Sequence, residues 1–338
     1  MKNTRIVFTK PCEVELVEME ISDDIAANEV LVEIGVSTIS SGTERANLIG
    51  DKNVSINTTA EVPFPRYCGY SLAGIVKKVG EAVSSVKPGD RVAVSCGTHN
   101  KYIVTSEYNV HKIEFDDVSL NEAAMAYIAT FPMLAVRKCE LEIGESAIVM
   151  GYGILGMIAV KLLRAAGAYP VIVADLQEEK RNLALQMGAD FAFDSSKADF
   201  AENVKSVTNG GVKVAIEVTG FGKALDSVLD CCARGARVAL LGCTRNSDFT
   251  IDYYHKVHGP GIKLFGAHTS ARPFEESHKG EWSTHDDMMA VMRLIHGKRL
   301  DFKAMIAEIH SPKDAKMVYQ RLITDKSFPI IQFDWEEI

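Results

Sequence analysis

Residues 146–175 read SAIVM-GYGILG-MIAVKLLRAAG-AYPVIVAD. An apolar run of strand length meets glycines at 151, 153 and 156, and a helical stretch follows whose apolar face is Leu155, Ile158, Leu162 and Ala166. A second apolar run, PVIVA, ends in Asp175. The three glycines differ in what they make possible. The first permits a tight turn, the second lets backbone approach a pyrophosphate, and the third lets helix and strand pack closely. Phosphates would sit at the helix N-terminus, where free N–H groups and the dipole favour anions. A glycine-rich turn by itself is common. With a strand before it, a helix after it and an acid about 20 residues on, it reads as a dinucleotide site. Gly151, Gly153, Ile154, Leu155 and Gly156 are the expected phosphate-side residues, and Asp175 is placed to bond the ribose hydroxyls. Asp175 would repel a 2'-phosphate, and Leu176 and Gln177 carry no guanidinium to receive one, so NAD is expected over NADP.

Outward from this stretch, the apolar runs VAIEV, RVALLG and IKLFGA alternate with helical stretches at 177–187 and 222–232. Strand and helix in turn imply a doubly wound parallel sheet. Thr219-Gly220, Leu241-Gly242 and Gly266-Ala267-His268 end expected strands, where such sheets bind ligands. The first 120 residues have another texture, mainly β. EVLVEIGVSTIS at 29–40 alternates like a strand, and SLAGIVKKVGEAVSSVKPGDRVAV at 71–94 reads as two strands with turns at Gly80 and at Pro88-Gly89-Asp90. SLNEAAMAYIATFPMLAVRKC at 119–139 has helical spacing, with Ser119 and Glu122 forming a capping-box pattern. Beyond 284, two helical stretches precede a closing strand, FPIIQFDW.

The totals agree with two globular domains: 338 residues, 47% hydrophobic and 24% charged. A formal net charge of -8 disfavours phosphate backbones, so nucleic acid is not an expected partner. Seven cysteines include no C-x-x-C pair, which fits reduced thiols and a cytoplasmic setting. No apolar run approaches the roughly 20 residues of a membrane span, and the start alternates like a strand pair, unlike an export signal. A soluble protein without a membrane partner is expected.

The order of these parts resembles the medium-chain dehydrogenase/reductase superfamily, the alcohol and polyol dehydrogenases. The residues that carry the likeness are SGTE at 41–44, GYSLAGIVKKVG at 69–80, VKPGDRV at 86–92, GYGILG at 151–156 and GAD at 188–190. The resemblance implies a β-rich GroES-like partial barrel, the catalytic domain, from residues 1–127 and 269–338. It implies a Rossmann NAD-binding domain at 128–268, and a homodimer joined through the cofactor-domain sheets. It places Lys180 along the adenine ribose, and Leu241, Gly242, Ala267 and His268 at the nicotinamide carboxamide, with Thr219 nearby. In zinc-dependent members the metal is held by Cys, His and a later Cys or Glu. Here those positions fall on Ser41, Tyr70 and Tyr127, which are poor zinc ligands. The Cys-rich structural zinc lobe is missing too. The likeness is therefore to a zinc-free branch with an SxGTE motif, which includes dehydrogenases of sugars and of bacteriochlorophyll precursors. A rebuilt metal site from Glu44, Cys68, Cys96 and His99 stays open beside the reading of Cys68 and Cys96 as small buried hydrophobes.

Without a metal, protein groups must take the alcohol proton and steady the oxygen. By the resemblance Thr43 is the proton-relay hydroxyl; alternatively it caps the helix ERANLI. Tyr70 either holds the substrate oxygen or fills the space of the metal. His99 carries an imidazole, a side chain that suits a base, or is a hydrogen-bonded wall residue. His255 and His258 lack a nearby acid in the sequence and read as solvated, and Cys231-Cys232 reads as helix core. The expected function is a metal-independent, NAD-dependent dehydrogenase of a small-molecule secondary alcohol: a sugar, polyol or related cyclic compound. The alternatives are a quinone or enone reductase, and a catalytically silent nucleotide-sensing protein.

Overall fold

The computed structural model describes residues 1–56, 60–247 and 249–338. Residues 57–59, within the 50–62 loop expected to shape the substrate pocket, lie outside the described residues.

The chain opens with an antiparallel pair, β1 (Lys2–Lys10) and β2 (Glu13–Glu20), as the alternation of that stretch predicts. Then come β3 (Glu29–Thr38), the short helix α1 (Ser41–Leu48), β4 (Ser71–Val79), β5 (Arg91–Ser95), β6 (Tyr102–Ser106) and β7 (Val110–Lys112). The turns between β4 and β5 fall where Gly80 and Pro88-Gly89-Asp90 put them, and Gly89 has φ +91°. The helical stretch at 119–139 is two helices, α2 (Leu120–Ala123) and α3 (Ala126–Lys138). The capping box at Ser119 and Glu122 forms as expected. The interruption has a visible cause. The Ala124 carbonyl accepts from Thr38 Oγ1 at 2.9 Å and Ser71 Oγ at 2.7 Å, while the Ile128 N–H, its helical partner, lies 3.4 Å from Ser71 Oγ. A side chain inserted into the i→i−4 ladder breaks a helix in this way.

Next are β8 (Ala147–Met150), α4 (Ile154–Ala165), β9 (Val171–Ala174), α5 (Glu178–Gln186), β10 (Phe191–Phe193), α6 (Phe200–Val207), β11 (Val212–Glu217), α7 (Gly222–Asp230), β12 (Cys232–Leu240) and β13 (Lys263–Gly266). They form one parallel sheet in the order β10-β9-β8-β11-β12-β13. Renumbered from β8, this is the 3-2-1-4-5-6 order of the Rossmann fold, whose strand order reverses between β8 and β11. In α4 the buried face is broader than the four expected residues: Ile154, Ile158, Val160 and Leu162 are buried, and Ala166, past the helix end, is exposed. Cys231-Cys232 belongs to the core as expected, but not within a helix. Cys231 is the C-cap of α7, and Cys232 opens β12 by pairing with Val212.

The chain closes with α8 (Thr284–His296), β14 (Glu308–His310), α9 (Ala315–Thr324) and β15 (Ile331–Asp334). A second sheet runs β14-β15-β3-β4-β5-β7, with β6 on β3, so the closing strand lies directly beside β3. Its core joins Val32, Ile34, Leu72, Tyr319, Phe333 and Trp335. The core of the parallel sheet joins Ile148, Ile172, Ala215, Val228 and Val238.

Two compact units result: Met1–Ile128 with Met288–Ile338, and Ala129–Asp287. The expected return at 269 falls instead at 288. Arg272 donates to the Thr130 carbonyl at 2.8 Å and pairs with Asp287 at 3.1 Å, while Arg137 pairs with Asp287 at 2.8 Å and lies over the Trp282 ring. These bonds tie residues 269–287 into the parallel-sheet unit. Among the described residues, no helix is long and apolar enough to cross a membrane.

Candidate active site and coenzyme site

In the parallel-sheet unit, the glycine-rich turn has the geometry its sequence asks for. Gly151 has φ +97°, and a Cβ there would lie 2.8 Å from Thr219 Cγ2. A Cβ on Gly156 would lie 2.0 Å from the Gly151 carbonyl oxygen, so only glycine lets α4 pack against the turn. Nothing lies within 4 Å of a Cβ built on Gly153, leaving open space in front of that peptide. Ile154 and Leu155 start α4, whose N-cap Gly153 supplies no side chain to its first amides. Asp175 follows β9 and accepts from the Tyr152 N–H at 2.7 Å and the Gln177 N–H at 2.9 Å, which joins the acid to the turn. Lys180 is half-buried in the first turn of α5. Sequence reasoning misses Arg181, whose Nη1 donates to the carbonyls of Asp175 and Leu176 at 2.9 Å each. A guanidinium does stand at this turn, occupied by main-chain oxygens.

Glu217, at the end of β11, is 2% exposed. Its carboxylate accepts from Thr219 N at 2.7 Å, from the Thr219 hydroxyl and from Gly220 N at 3.1 Å, while its own carbonyl accepts from Leu241 N and Gly242 N. One residue thus folds both loops. They also interlock: a Cβ on Gly242 would lie 2.3 Å from Gly220 N. Ala267 donates to the Leu240 carbonyl, and half-burial lowers the pKa of His268, whose Nδ1 is 2.8 Å from Ser270 Oγ. Burial raises the Glu217 carboxyl above its usual 4.5, against the pull of the Thr219 and Gly220 donors. An acid with a raised native pKa stabilises fully below its unfolded value and loses that contribution as pH climbs through the native one. Relative to Glu217→Gln, wild type is therefore expected to lose stability as pH rises above 4.5. Melting temperatures of both proteins between about pH 4 and pH 8 check this, and a constant difference would refute it.

In the other unit, α1 carries the residues at 40–44. Ser40 is its N-cap, yet its hydroxyl makes no cap bond. It accepts instead from the Tyr70 phenol at 2.5 Å. Tyr70 meets the Tyr127 ring edge to face at 5.7 Å, and the Tyr127 hydroxyl lies 3.2 Å from Cys96 Sγ. Ser71, by breaking the helix ahead of Ala126, sets Tyr127 in the first turn of α3. Two neighbours in the stretch YCGYSLAG therefore act separately. Tyr70 points its hydroxyl at Ser40, and Ser71 places Tyr127. Thr43 is half-buried inside α1, so it does not cap the helix; its carbonyl accepts from Asn47 Nδ2 at 3.0 Å.

His99 is fully buried. Its Nδ1 lies 2.7 Å from Ser37 Oγ and its Nε2 3.2 Å from Glu44 Oε2. A base in contact with substrate needs an open face, and this ring has none; its place matches the wall residue. Gly69 exists for it: with φ +103°, a Cβ there would lie 2.3 Å from the ring. Tyr319, Ser37 and Trp335, which the sequence alone does not reveal, complete the cluster. Tyr319 donates to Glu44 Oε2 at 2.5 Å, and Trp335 Nε1 donates to Ser37 Oγ at 2.8 Å. His255, expected to lack an acid, lies 2.8 Å from Asp252 in an exposed π-turn.

Comparison with known proteins matches residues 26–131 to the alcohol dehydrogenase GroES-like domain and 155–282 to the zinc-binding dehydrogenase family. An L-threonine 3-dehydrogenase of Pyrococcus furiosus is 30% identical over 300 residues, 78% of this chain and 82% of that one. That of Thermococcus kodakarensis is 28% identical over 236 residues, 60% of this chain and 65% of that one, so the match spans just under two thirds of its length. The crystal structure of galactitol-1-phosphate dehydrogenase from Escherichia coli superposes with a TM-score of 0.83 at 20% identity, covering 98% of this chain and 99% of that one. The chain belongs to the medium-chain dehydrogenase/reductase superfamily, the alcohol dehydrogenase-like oxidoreductases.

One matching family is named for zinc, against the expectation of a metal-free protein. The donors at the positions in question are the Ser41 hydroxyl, the phenols of Tyr70 and Tyr127 and the neighbouring Cys96 thiol, with no imidazole or carboxylate among them. Zinc takes imidazole, thiolate or carboxylate, and this set does not fit it. Glu44 and His99 are committed to each other and to Tyr319 and Ser37. Burial drives the Cys68 thiol well above its usual range. Among the described residues, no group of three or more His, Cys, Asp or Glu is placed to hold a metal.

Proposed function

We propose that this protein is an NAD-dependent dehydrogenase of a secondary alcohol in a sugar, polyol or related cyclic compound, and that it works without zinc. The observation that carries the reading is the short Tyr70–Ser40 bond at the place where the resemblance puts a metal ligand. In the coenzyme unit, Asp175 offers a carboxylate at the ribose position, while Arg181 is held by main-chain carbonyls, and Lys180 is assigned to the adenine ribose by family likeness. That arrangement favours a free 2'-hydroxyl, and hence NAD. Gly151, Gly153 and Gly156 shape the phosphate turn, and Thr219, Leu241, Gly242, Ala267 and His268 shape the loops at the strand ends. Bound NAD would accept the hydride from the carbinol carbon.

The remaining work falls to the chain's own hydroxyls. Tyr70, its O–H directed at Ser40, presents its oxygen lone pairs to the substrate hydroxyl, whose proton leaves by way of the Thr43 hydroxyl to solvent as the hydride departs; in the reverse direction the phenol turns its one O–H from Ser40 to the carbonyl oxygen and the proton returns by the same relay. Thr43 is the second hydroxyl of the same segment and is assigned to proton relay. His99 positions and does not touch substrate. General acid-base help contributes about 100- to 10,000-fold, and one well-placed oxyanion donor about 100- to 1000-fold. Those factors are enough for a modest enzyme.

The test is NADH formation with a panel of polyols, sugars, sugar acids and cyclic alcohols, before and after chelator dialysis, with metal content measured. Turnover that survives dialysis in protein with little zinc is expected. Activity removed by chelator and restored by zinc would refute the metal-free part. A clear preference for NADPH with activated double bonds would favour a quinone or enone reductase, and tight NAD binding without turnover would favour a nucleotide sensor. Gel filtration addresses the homodimer expected from family likeness, and a monomeric elution would remove it.

A further inference from the structure

Glu44 is a fully buried carboxylate whose oxygens divide their work between two directions. Oε1 accepts from the Ser40 N–H at 2.7 Å. Oε2 accepts from the Tyr319 hydroxyl at 2.5 Å and faces His99 Nε2 at 3.2 Å. We infer that Glu44, braced by Tyr319 and His99, is a positioning residue for the proposed reaction: by holding the Ser40 main chain it fixes the hydroxyl that receives the Tyr70 phenol. This rests on the reading of Tyr70 and Thr43 as the groups that meet the substrate.

The hydrogen bonds admit one arrangement in which every donor has an acceptor. Trp335 Nε1 has only a proton to offer, so Ser37 Oγ accepts from it. His99 Nε2 faces a carboxylate and carries a proton. His99 Nδ1 then accepts from the Ser37 hydroxyl at 2.7 Å. Tyr319 is fully buried; burial first, then the adjacent Glu44, raises its pKa far above the usual phenol value, so it remains a donor. Trp335, Ser37, His99 and Tyr319 thus aim a line of donors at one end of Glu44, leaving the other end for Ser40. A buried carboxylate so surrounded is held far more rigidly than one facing water.

The benefit falls on the N-terminus of α1. An N-cap serine ordinarily spends its hydroxyl on the first-turn amides. Ser40 does not, because that oxygen receives Tyr70 at 2.5 Å. The helix start is therefore secured from behind, by Glu44 on the Ser40 N–H, and Ser40 is left to serve Tyr70. Thr43 lies one residue before Glu44 and moves with it. Gln keeps an Oε1 acceptor for the Ser40 N–H, but its amide NH₂ faces His99 Nε2 and the Tyr319 hydroxyl, which both donate at that end, so the carboxylate is required for the brace.

The experiment uses Tyr319→Phe and Glu44→Gln in the full chain, with kcat, NAD affinity by fluorescence titration, melting temperature and amide exchange of residues 40–44. Tyr319→Phe removes one hydroxyl and keeps the ring. Its kcat is expected to fall about tenfold to 100-fold, with NAD affinity unchanged and faster exchange at 40–44 than in β3 or β4. Glu44→Gln is expected to lower kcat by at least as much, again with NAD affinity unchanged. Tyr319→Phe with wild-type kcat and only a lower melting temperature would overturn the inference, as would Glu44→Gln with wild-type kcat. Wild-type protein without turnover on any alcohol removes the proposed function and this inference together; wild-type turnover unimpaired in Tyr319→Phe removes this inference alone.

Discussion

Tyr70→Phe is expected to lower kcat about 100- to 1000-fold while leaving NAD affinity unchanged. The substitution keeps the ring, and with it the edge-to-face contact at 5.7 Å to Tyr127. It removes the oxygen that is proposed to meet the substrate hydroxyl and that is bonded to Ser40 at 2.5 Å. Ser40, released from Tyr70, regains a hydroxyl with which to cap α1, so the variant should melt close to wild type. The residues proposed to meet the coenzyme lie on the glycine-rich turn and the strand-end loops, none of which includes Tyr70. A Tyr70→Phe enzyme turning over within about threefold of wild type would end the assignment of the phenol to substrate oxygen. Steady-state kinetics with saturating NAD, paired with a coenzyme titration, is sufficient to decide.

Gly69→Ala carries the larger penalty in stability. The backbone there has φ +103°, where an L residue is strained by about 1–3 kcal/mol. The new methyl would begin 2.3 Å from the His99 ring. That ring cannot retreat, since both nitrogens are held by Ser37 and Glu44 and its face meets the Phe333 ring edge at 5.4 Å. Overpacking of a filled core adds about 1–3 kcal/mol. The sum, about 2–6 kcal/mol, is a large share of the total stability of an ordinary domain. Chemical denaturation followed in the Met1–Ile128 and Met288–Ile338 unit would show it. A midpoint equivalent to less than about 1 kcal/mol of loss would mean that the imidazole does move.

Sequence patterning reaches the coenzyme unit more fully than the other. The roles expected of Gly151 and Gly156 reappear as a positive φ and a 2.0 Å clearance. Those roles are legible because they are local: turn, helix and strand lie within a few residues of one another. The same holds for the Ser119–Glu122 capping box. Arg181 escapes a reading confined to the residues directly after Asp175, because it is a helical turn that brings position 181 back beside them. The hydroxyl cluster is half legible. Tyr70 and Tyr127 stand out in the sequence as replacements of ligands, but Ser40, and not Ser41, receives the phenol. Periodicity cannot show that Ala124 gives its carbonyl to Thr38 and Ser71, nor that His99 lies behind Gly69. Such facts depend on pairs brought together by the sheet. The expected domain return at 269 fails for the same reason: the bonds that draw 269–287 into the parallel-sheet unit join Arg272 to Thr130 and Arg137 to Asp287, both far apart in the chain.

The placement of β15 against β3 also sets an order of assembly. Tyr319 is 275 positions from Glu44, and Trp335 is 298 from Ser37. At translation rates of about 5–20 residues per second, Glu44 emerges roughly 15–55 seconds before the tyrosine that braces it. Ala129–Asp287 is one uninterrupted segment and can complete its sheet during that wait. The first 128 residues cannot, because a carboxylate and an imidazole without their donors resist desolvation. Nascent chains should therefore hold the N-terminal segment loose until the last strand leaves the ribosome, a delay that a protease added during synthesis would reveal.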